Sequence, residues 1–249
     1  MHPLLVLTEP APFELVNVDG KSDLVLVCDH ASNRIPQQLH ALGLTVEVLQ
    51  THVAWDLGAL LVARYLSWHL DAPLVSSGYS RLVIDCNRHP ENPDSIPACS
   101  NGITVPGNRG ITEKEIMARR QGLFYPYHDA IDRLLQTRIN RPTFLLSIHS
   151  FTPVLRGIER PWSIGVCYGD EKAIGERWLQ VLQAESGESV GNNQPYSIET
   201  DIDYTIPNVM QNHDIPAIML EIRQDQIASQ AAAKTWSGVI GKAWHRYQG

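Results

Sequence analysis

His30 and His149 each stand at the end of a short apolar run, LVLVCD and TFLLSI, and two further runs end in Asp85-Cys86-Asn87-Arg88 and in Glu221-Ile222-Arg223. Core strands rarely end so uniformly in groups that cost free energy to bury. Two imidazoles at neighbouring strand ends suit a divalent cation, above all zinc, which takes two or three protein ligands and leaves a position for water. Glu221 could then act as general base toward that water; its plainer role is a buried ion pair with an arginine. Arg81, Arg88 and Arg223 offer planar forks for bidentate carboxylate binding. Three of them near one site point to an anionic substrate, although each alone is as readily a structural salt bridge. His52 and Asp56, at i and i+4 near a helix start, share a face and could be a ligand and its orienting partner. Asn192, Asn193 and Tyr196, in the GNNQPY loop, could hydrogen-bond a substrate or form a plain turn, and His213 could polarise a carbonyl. Residues 124–128 and 160–162 read as packing.

These groups need elements that aim them at one place. Residues 23–28, 73–77, 81–86, 143–148, 163–168 and 217–222 read as strands, apolar on both faces and so covered on both sides by helices. Helical stripes cover 55–69 and 112–138, with weaker ones over 171–185, 225–246 and 207–213. Thr112 and Glu115 have capping-box spacing. The alternation predicts a single α/β domain over 1–249, a three-layer α/β/α sandwich around a mixed, mainly parallel sheet. In such sheets the ligand sits beyond the carboxyl ends of the strands, where the four polar clusters fall. Residues 89–111 and 186–206 read as long loops of the kind that form lids.

The composition bounds the partners. The 249 residues are 43% hydrophobic and 19% charged, with 20 basic against 27 acidic residues for a net charge of −7. No basic face is concentrated enough for nucleic acid or an anionic membrane. No apolar stretch reaches the ~18 residues of a membrane helix, and the start, MHPLLVLTEP, does not read as a signal peptide. Cys28, Cys86, Cys99 and Cys167 lack C-x-x-C spacing, and three of them lie in apolar runs, as buried thiols in a reducing, cytoplasmic setting would. There is no Gly-rich phosphate loop, no G-x-S-x-G and no H-E-x-x-H.

The segments LVCDHASNRIP, HVAWDLGA, YSRLVIDCNR, SIHSFTPV, GNNQPY and LEIRQD, in this order from about residue 24 to 227, resemble the N-formylglutamate amidohydrolase family. The family is similar in fold to zinc carboxypeptidases and aspartoacylase, with a phosphorylase/hydrolase-like α/β/α core. The resemblance implies a zinc- or other metal-dependent hydrolase that splits N-formyl-L-glutamate into formate and glutamate in histidine degradation. It places His30 as the first metal ligand, His149 as the last, Asn87 and Arg88 on the substrate carboxylate, and Glu221 as the base. The family's His-x-x-Glu pair is His30 and Asn33 here. An amide oxygen ligates weakly and carries no charge, so the third ligand stays open between Asn33, Asp29, His52 and Asp56. Two rival readings remain: an amidohydrolase for another N-acyl amino acid or a peptidoglycan-type amide, and a metabolite-binding protein that has lost catalysis.

Overall fold

The computed structural model describes residues 3–249. Its strands are β1 (Phe13–Val16), β2 (Leu24–Cys28), β3 (Leu74–Ser77), β4 (Cys99–Ser100), β5 (Ile103–Thr104), β6 (Phe144–Phe151), β7 (Val154–Leu155), β8 (Ile158–Glu159), β9 (Ile164–Cys167), β10 (Val190–Asn192) and β11 (Ala217–Arg223). The helices are α1 (Val46–Leu49), α2 (Ala59–Leu70), α3 (Glu113–Arg119), α4 (Tyr125–Gln136), α5 (Lys172–Ser186), α6 (Thr205–His213) and α7 (Gln230–Gln248). Seven strands form one sheet in the order β1-β3-β2-β6-β11-β9-β10. The pairs β3–β2, β2–β6, β6–β11 and β9–β10 are parallel, whereas β1–β3 and β11–β9 are antiparallel. The sandwich is therefore mixed and mainly parallel, as the alternation of patterns predicts.

Strand alternation sends successive side chains to opposite faces, and the core divides accordingly. Leu24, Leu26, Leu146, Ile148, Leu220 and Ile222 pack under α2, α5 and α7. Val25, Val27, Leu145 and Met219 pack under α4 and α6. Burial of both faces is why these strands read as continuous apolar runs. Cys28, Cys86 and Cys167 are buried free thiols, and Cys99 is exposed.

The largest departure from the sequence reading is 81–86, which is buried but not a strand. Its backbone groups are satisfied without a ladder. Val83 N–H bonds the Ser80 carbonyl (2.9 Å) and Asp85 N–H the Ser95 carbonyl (2.7 Å). The Leu82 carbonyl accepts from Asn108 Nδ2 (2.8 Å) and the Val83 carbonyl from Arg119 Nη1 (3.0 Å). Periodicity reports burial, and here side chains replaced the neighbouring strand. The helix expected from residue 55 starts at Ala59, so His52 and Asp56 lie in the turn before it and not on one helical face. Within the two long loops, 89–111 forms the β4–β5 hairpin and 186–206 contributes the edge strand β10.

Residues 112–138 are helical, and the Thr112–Glu115 capping box forms. Between α3 and α4, residues Arg120–Phe124 make a π-helical turn. Pro126 has no N–H to donate to the carbonyl four residues back, so the ladder loosens there. Arg119, 1% exposed, also donates to the Asn108 side chain (2.6 Å) and the Gly107 carbonyl (3.1 Å). Replacing it by Leu strands three buried acceptors, each worth about 1–3 kcal/mol. Urea unfolding of Arg119→Leu is expected to show a loss of about 3 kcal/mol or more, and a change under about 1 kcal/mol contradicts this account of 81–86.

Candidate active site

β2, β6 and β11 run parallel, so the residues at their carboxyl ends emerge along one edge of the sheet. Glu221 is in register with His149 on β6 and with Gly165 on β9. Asp29 and His30 follow β2 directly. Asp56 is drawn in by its backbone, its N–H bonding the His30 carbonyl at 3.0 Å. Its carboxylate also accepts from Ser150 N–H at 3.2 Å.

The centre is one buried carboxylate between two imidazoles. Asp56 Oδ2 lies 2.8 Å from His149 Nδ1 and 3.3 Å from His30 Nδ1. The rings meet edge to face with centroids 4.7 Å apart. Each Nε2 faces a second carboxylate: His30 that of Asp85 at 2.7 Å, His149 that of Asp29 at 2.9 Å. Those two are anchored in turn. Asp85 accepts from Arg81 Nη2 (2.8 Å) and Asn87 N–H (2.9 Å). Asp29 accepts from the hydroxyls of Tyr127 (2.9 Å), Ser147 (3.0 Å) and Thr205 (2.6 Å).

With carboxylates at both nitrogens, each ring is favoured as imidazolium. Burial pulls the pKa of His149 down, but the hydrogen bonds and charges of Asp29 and Asp56 outweigh it and hold it well above the usual value. His30 is raised against burial and the Arg81 charge by Asp85 and Asp56. Burial would raise Asp29, Asp56 and Asp85, yet their partners hold all three below the ordinary carboxylate range. Glu221 differs. Burial, abetted by the Asp56 charge and opposed by His149, lifts it to about 7. Its Oε2 is buried with no hydrogen-bond partner.

The residues fit a metal. The Nδ1 atoms of the two histidines face a shared carboxylate, and ligand atoms of His30, Asp56 and His149 lie within 4.8 Å of one another. Two nitrogens and an oxygen are a zinc-type donor set, and a carboxylate behind each ring fixes tautomer and orientation.

This centre forms one wall of a cavity of about 450 Å³, whose lining includes Arg81, Asn87, Arg88, His52, Tyr196, Asp203 and Glu221. Arg88 and Asn87 both meet Asp203, at 3.4 and 3.3 Å. His52 accepts from Asn101 Nδ2 on the β4–β5 hairpin (3.1 Å). Five expected site residues are not brought to the cavity, each because a local partner claims it. Asn192 Oδ1 accepts from the Tyr168 hydroxyl (2.6 Å). Asn33 donates to the Leu49 carbonyl (2.9 Å), and Asn193 Oδ1 accepts from Tyr168 N–H (2.9 Å). His213 pairs with Asp132 (2.9 Å). Arg223 binds Asp225 (2.8 Å) and the carbonyls of Arg160 and Pro161. Sequence reasoning assigned nothing to Asp85, although it stands two residues before Asn87 in a quoted motif. It left Asp203 unnamed within the 186–206 loop, and it read Tyr127 mainly as packing.

Gly165 makes room for the loop that carries Tyr196, because a Cβ there would collide with the Gln194 carbonyl. Arg160, 8% exposed, donates through Nη2 to the Tyr196 hydroxyl at 3.0 Å.

Comparison with known proteins places this geometry in context. A family model for N-formylglutamate amidohydrolase matches residues 22–228. A solved gene product of Agrobacterium tumefaciens is 34% identical, covers 98% of each chain and superposes with a TM-score of 0.92. An N-formylglutamate amidohydrolase from Ralstonia eutropha, 18% identical over 96% of this chain and 98% of its own, gives 0.64. A metallo-carboxypeptidase from Burkholderia cenocepacia, 12% identical over 95% and 65%, gives 0.42, a loose likeness only. No curated protein matches the sequence. Among the described residues no helix is long and apolar enough to cross a membrane.

Proton linkage gives the site a test that needs no substrate. Raised folded-state values mean that His30 and His149 contribute stability fully present below their unfolded pKa of 6.5, lost as pH rises through the folded values. Glu221, raised from 4.5 to about 7, adds in the same direction over that interval. The depressed aspartates act only in acid, below their unfolded 3.8. Chelator-treated protein is therefore expected to lose Tm as pH rises above about 6.5, and zinc, by replacing ring protons, to flatten that slope. A chelated Tm that is level or rising over this window contradicts the assignment.

Proposed function

Because the chain belongs to the N-formylglutamate amidohydrolase family and is thus a hydrolase acting on amides, we propose that it performs metal-dependent hydrolysis of N-formyl-L-glutamate or a similar N-acyl acidic amino acid. The products are formate and L-glutamate, or the corresponding acid and acidic amino acid. The observation that carries this reading is the meeting of His30, Asp56 and His149 with Glu221 and Arg88 around one cavity.

A divalent cation held by His30, His149 and Asp56 would polarise the scissile carbonyl and make water more acidic. Zinc is the first candidate for this nitrogen and oxygen set. Asp85 and Asp29 keep the imidazoles turned inward. Glu221 takes a proton from the attacking water and delivers it to the departing amine nitrogen as the C–N bond breaks. A buried carboxyl poised near neutrality suits both transfers. Arg88, steadied with Asn87 by Asp203, receives the substrate carboxylate in its fork. Arg81 is already bound to Asp85 and lies 3.7 Å from Asp56, so its part is to hold those carboxylates. Asp56 supplies the charge that Asn33 lacks, which speaks against the non-catalytic reading.

Formate release from N-formyl-L-glutamate is expected to vanish on chelation and return with zinc, whereas absence of turnover of this and other N-acyl acidic amino acids with every divalent metal rejects the reading. Glu221→Gln should lower kcat by about 10²–10⁴, and a rate near that of the unaltered protein would remove Glu221 from proton transfer. Arg88→Lys should raise KM about tenfold or more with little change in kcat, so an unchanged KM would place the carboxylate elsewhere. Asp85→Asn should weaken zinc binding about 10–100-fold by direct titration.

A further inference from the structure

The two arginines that line the cavity have counterions: Arg81 pairs with Asp85 at 2.8 Å and Arg88 with Asp203 at 3.4 Å. Arg160, buried beside the cavity, has none among the described residues. Its Nη2 donates to the Tyr196 hydroxyl at 3.0 Å, and its Nη1 is buried with no partner. Its guanidinium lies 5.7 Å from the Phe151 ring centroid and 4.9 Å from that of Tyr196, and both of these residues line the cavity. Cation–π contacts and one hydroxyl hold a guanidinium in position, but a buried charge without a counterion is costly. Arg119, equally buried, donates to three acceptors instead. The backbone fixes Arg160 where it is. Its N–H bonds the Pro153 carbonyl (2.8 Å) and its carbonyl accepts from Arg223 Nη1 (3.2 Å). The base of the β7–β8 hairpin is thus tied to the carboxyl ends of β6 and β11.

The charge of Arg160 reaches the cavity. Burial lowers the pKa of His52, and the charges of Arg81 and Arg160 add to that effect. Because the Tyr196 hydroxyl oxygen accepts from Arg160, its own hydrogen is left for an acceptor in the cavity. The adjoining Thr152 and Ser197 also line the cavity, so this side is polar. Glu199, further along the loop, is exposed, where water and salt screen its charge. Resting on the amidohydrolase reading above, we propose that Arg160 and Tyr196 seat the second carboxylate of an N-acyl acidic amino acid, the one that Arg88 does not hold. The Tyr196 hydroxyl donates to that carboxylate directly. Arg160 is a positioning residue: it fixes and polarises the hydroxyl and supplies the positive charge behind it. A dicarboxylate then brings an anion to both cations, whereas a monocarboxylate leaves one of them uncompensated.

The test is calorimetric binding of N-formyl-L-glutamate, N-formyl-L-glutamine and N-formyl-L-isoglutamine to the chelator-treated full-length protein, so that hydrolysis does not consume them. Each of the latter two is a half-amide that lacks one carboxylate. The diacid is expected to bind about tenfold or more tighter than either half-amide. Arg160→Gln should weaken the diacid and one half-amide by about tenfold or more, and change the other by less than about twofold. Arg88→Gln should be silent toward the opposite half-amide. Tyr196→Phe, which removes a single hydroxyl from a side chain 42% exposed, should reproduce the Arg160→Gln pattern and decides alone if that variant does not fold. A loss spread evenly over all three ligands, or no loss, makes Arg160 a packing residue and overturns the inference. Equal binding of the three ligands by the unaltered protein does the same. Formate release decides the amidohydrolase reading separately: turnover of the diacid leaves that reading standing even where the seat fails. Selective binding without turnover of any N-acyl acidic amino acid, with any divalent metal, retains the seat and removes that reading.

Discussion

The structure turns on a carboxylate that two histidines share. Asp56 is buried between His30 and His149, where an unpaired charge would cost several kcal/mol. It is tolerated only because both imidazoles, a backbone N–H and the nearby Arg81 face it at once. Each imidazole then needs a carboxylate of its own on the far nitrogen, and each of those needs donors. Arg81 and Asn87 serve Asp85; Tyr127, Ser147 and Thr205 serve Asp29. The chain of requirements reaches from the turn before α2 across two strands, β2 and β6, to α4 and α6.

The requirement also explains why Glu221 is unlike its neighbours. It stands at the same sheet edge, in register with His149, yet one of its oxygens has no partner. The aspartates are held charged by their contacts, whereas Glu221 is held near its titration point by burial. Two kinds of carboxyl thus share one cavity: those that build the centre, and one left able to exchange a proton.

Much of this was legible in the sequence where burial and strand direction decide. Parallel strands buried on both faces read as apolar runs, and His30, His149 and Glu221 were found because they end those runs. The reading failed where partners distant in the chain decide. Residues 81–86 are as apolar as a strand, but Asn108 and Arg119 take the carbonyls that a ladder would have used. Arg223, His213 and Asn193 carry suitable groups that nearby acceptors and donors claim first. Between Asn33 and Asp56 the spacing alone could not choose. The choice follows from the His30 carbonyl and Ser150 N–H, which draw Asp56 inward.

The π-helical turn at Arg120–Phe124 sets the angular phase between the two halves of the long helix. Arg119 and Tyr127 are eight residues apart, which in an unbroken α-helix leaves their directions about 80° out of step at about 100° per residue. The wider turn takes up most of that difference. One rod can therefore prop the 81–86 segment with Arg119 and reach Asp29 with Tyr127. A one-residue insertion or deletion between them would rotate one support about 100° away from its target. The length of this helix, as well as its composition, is thereby fixed by the two carboxylates that stand behind His30 and His149.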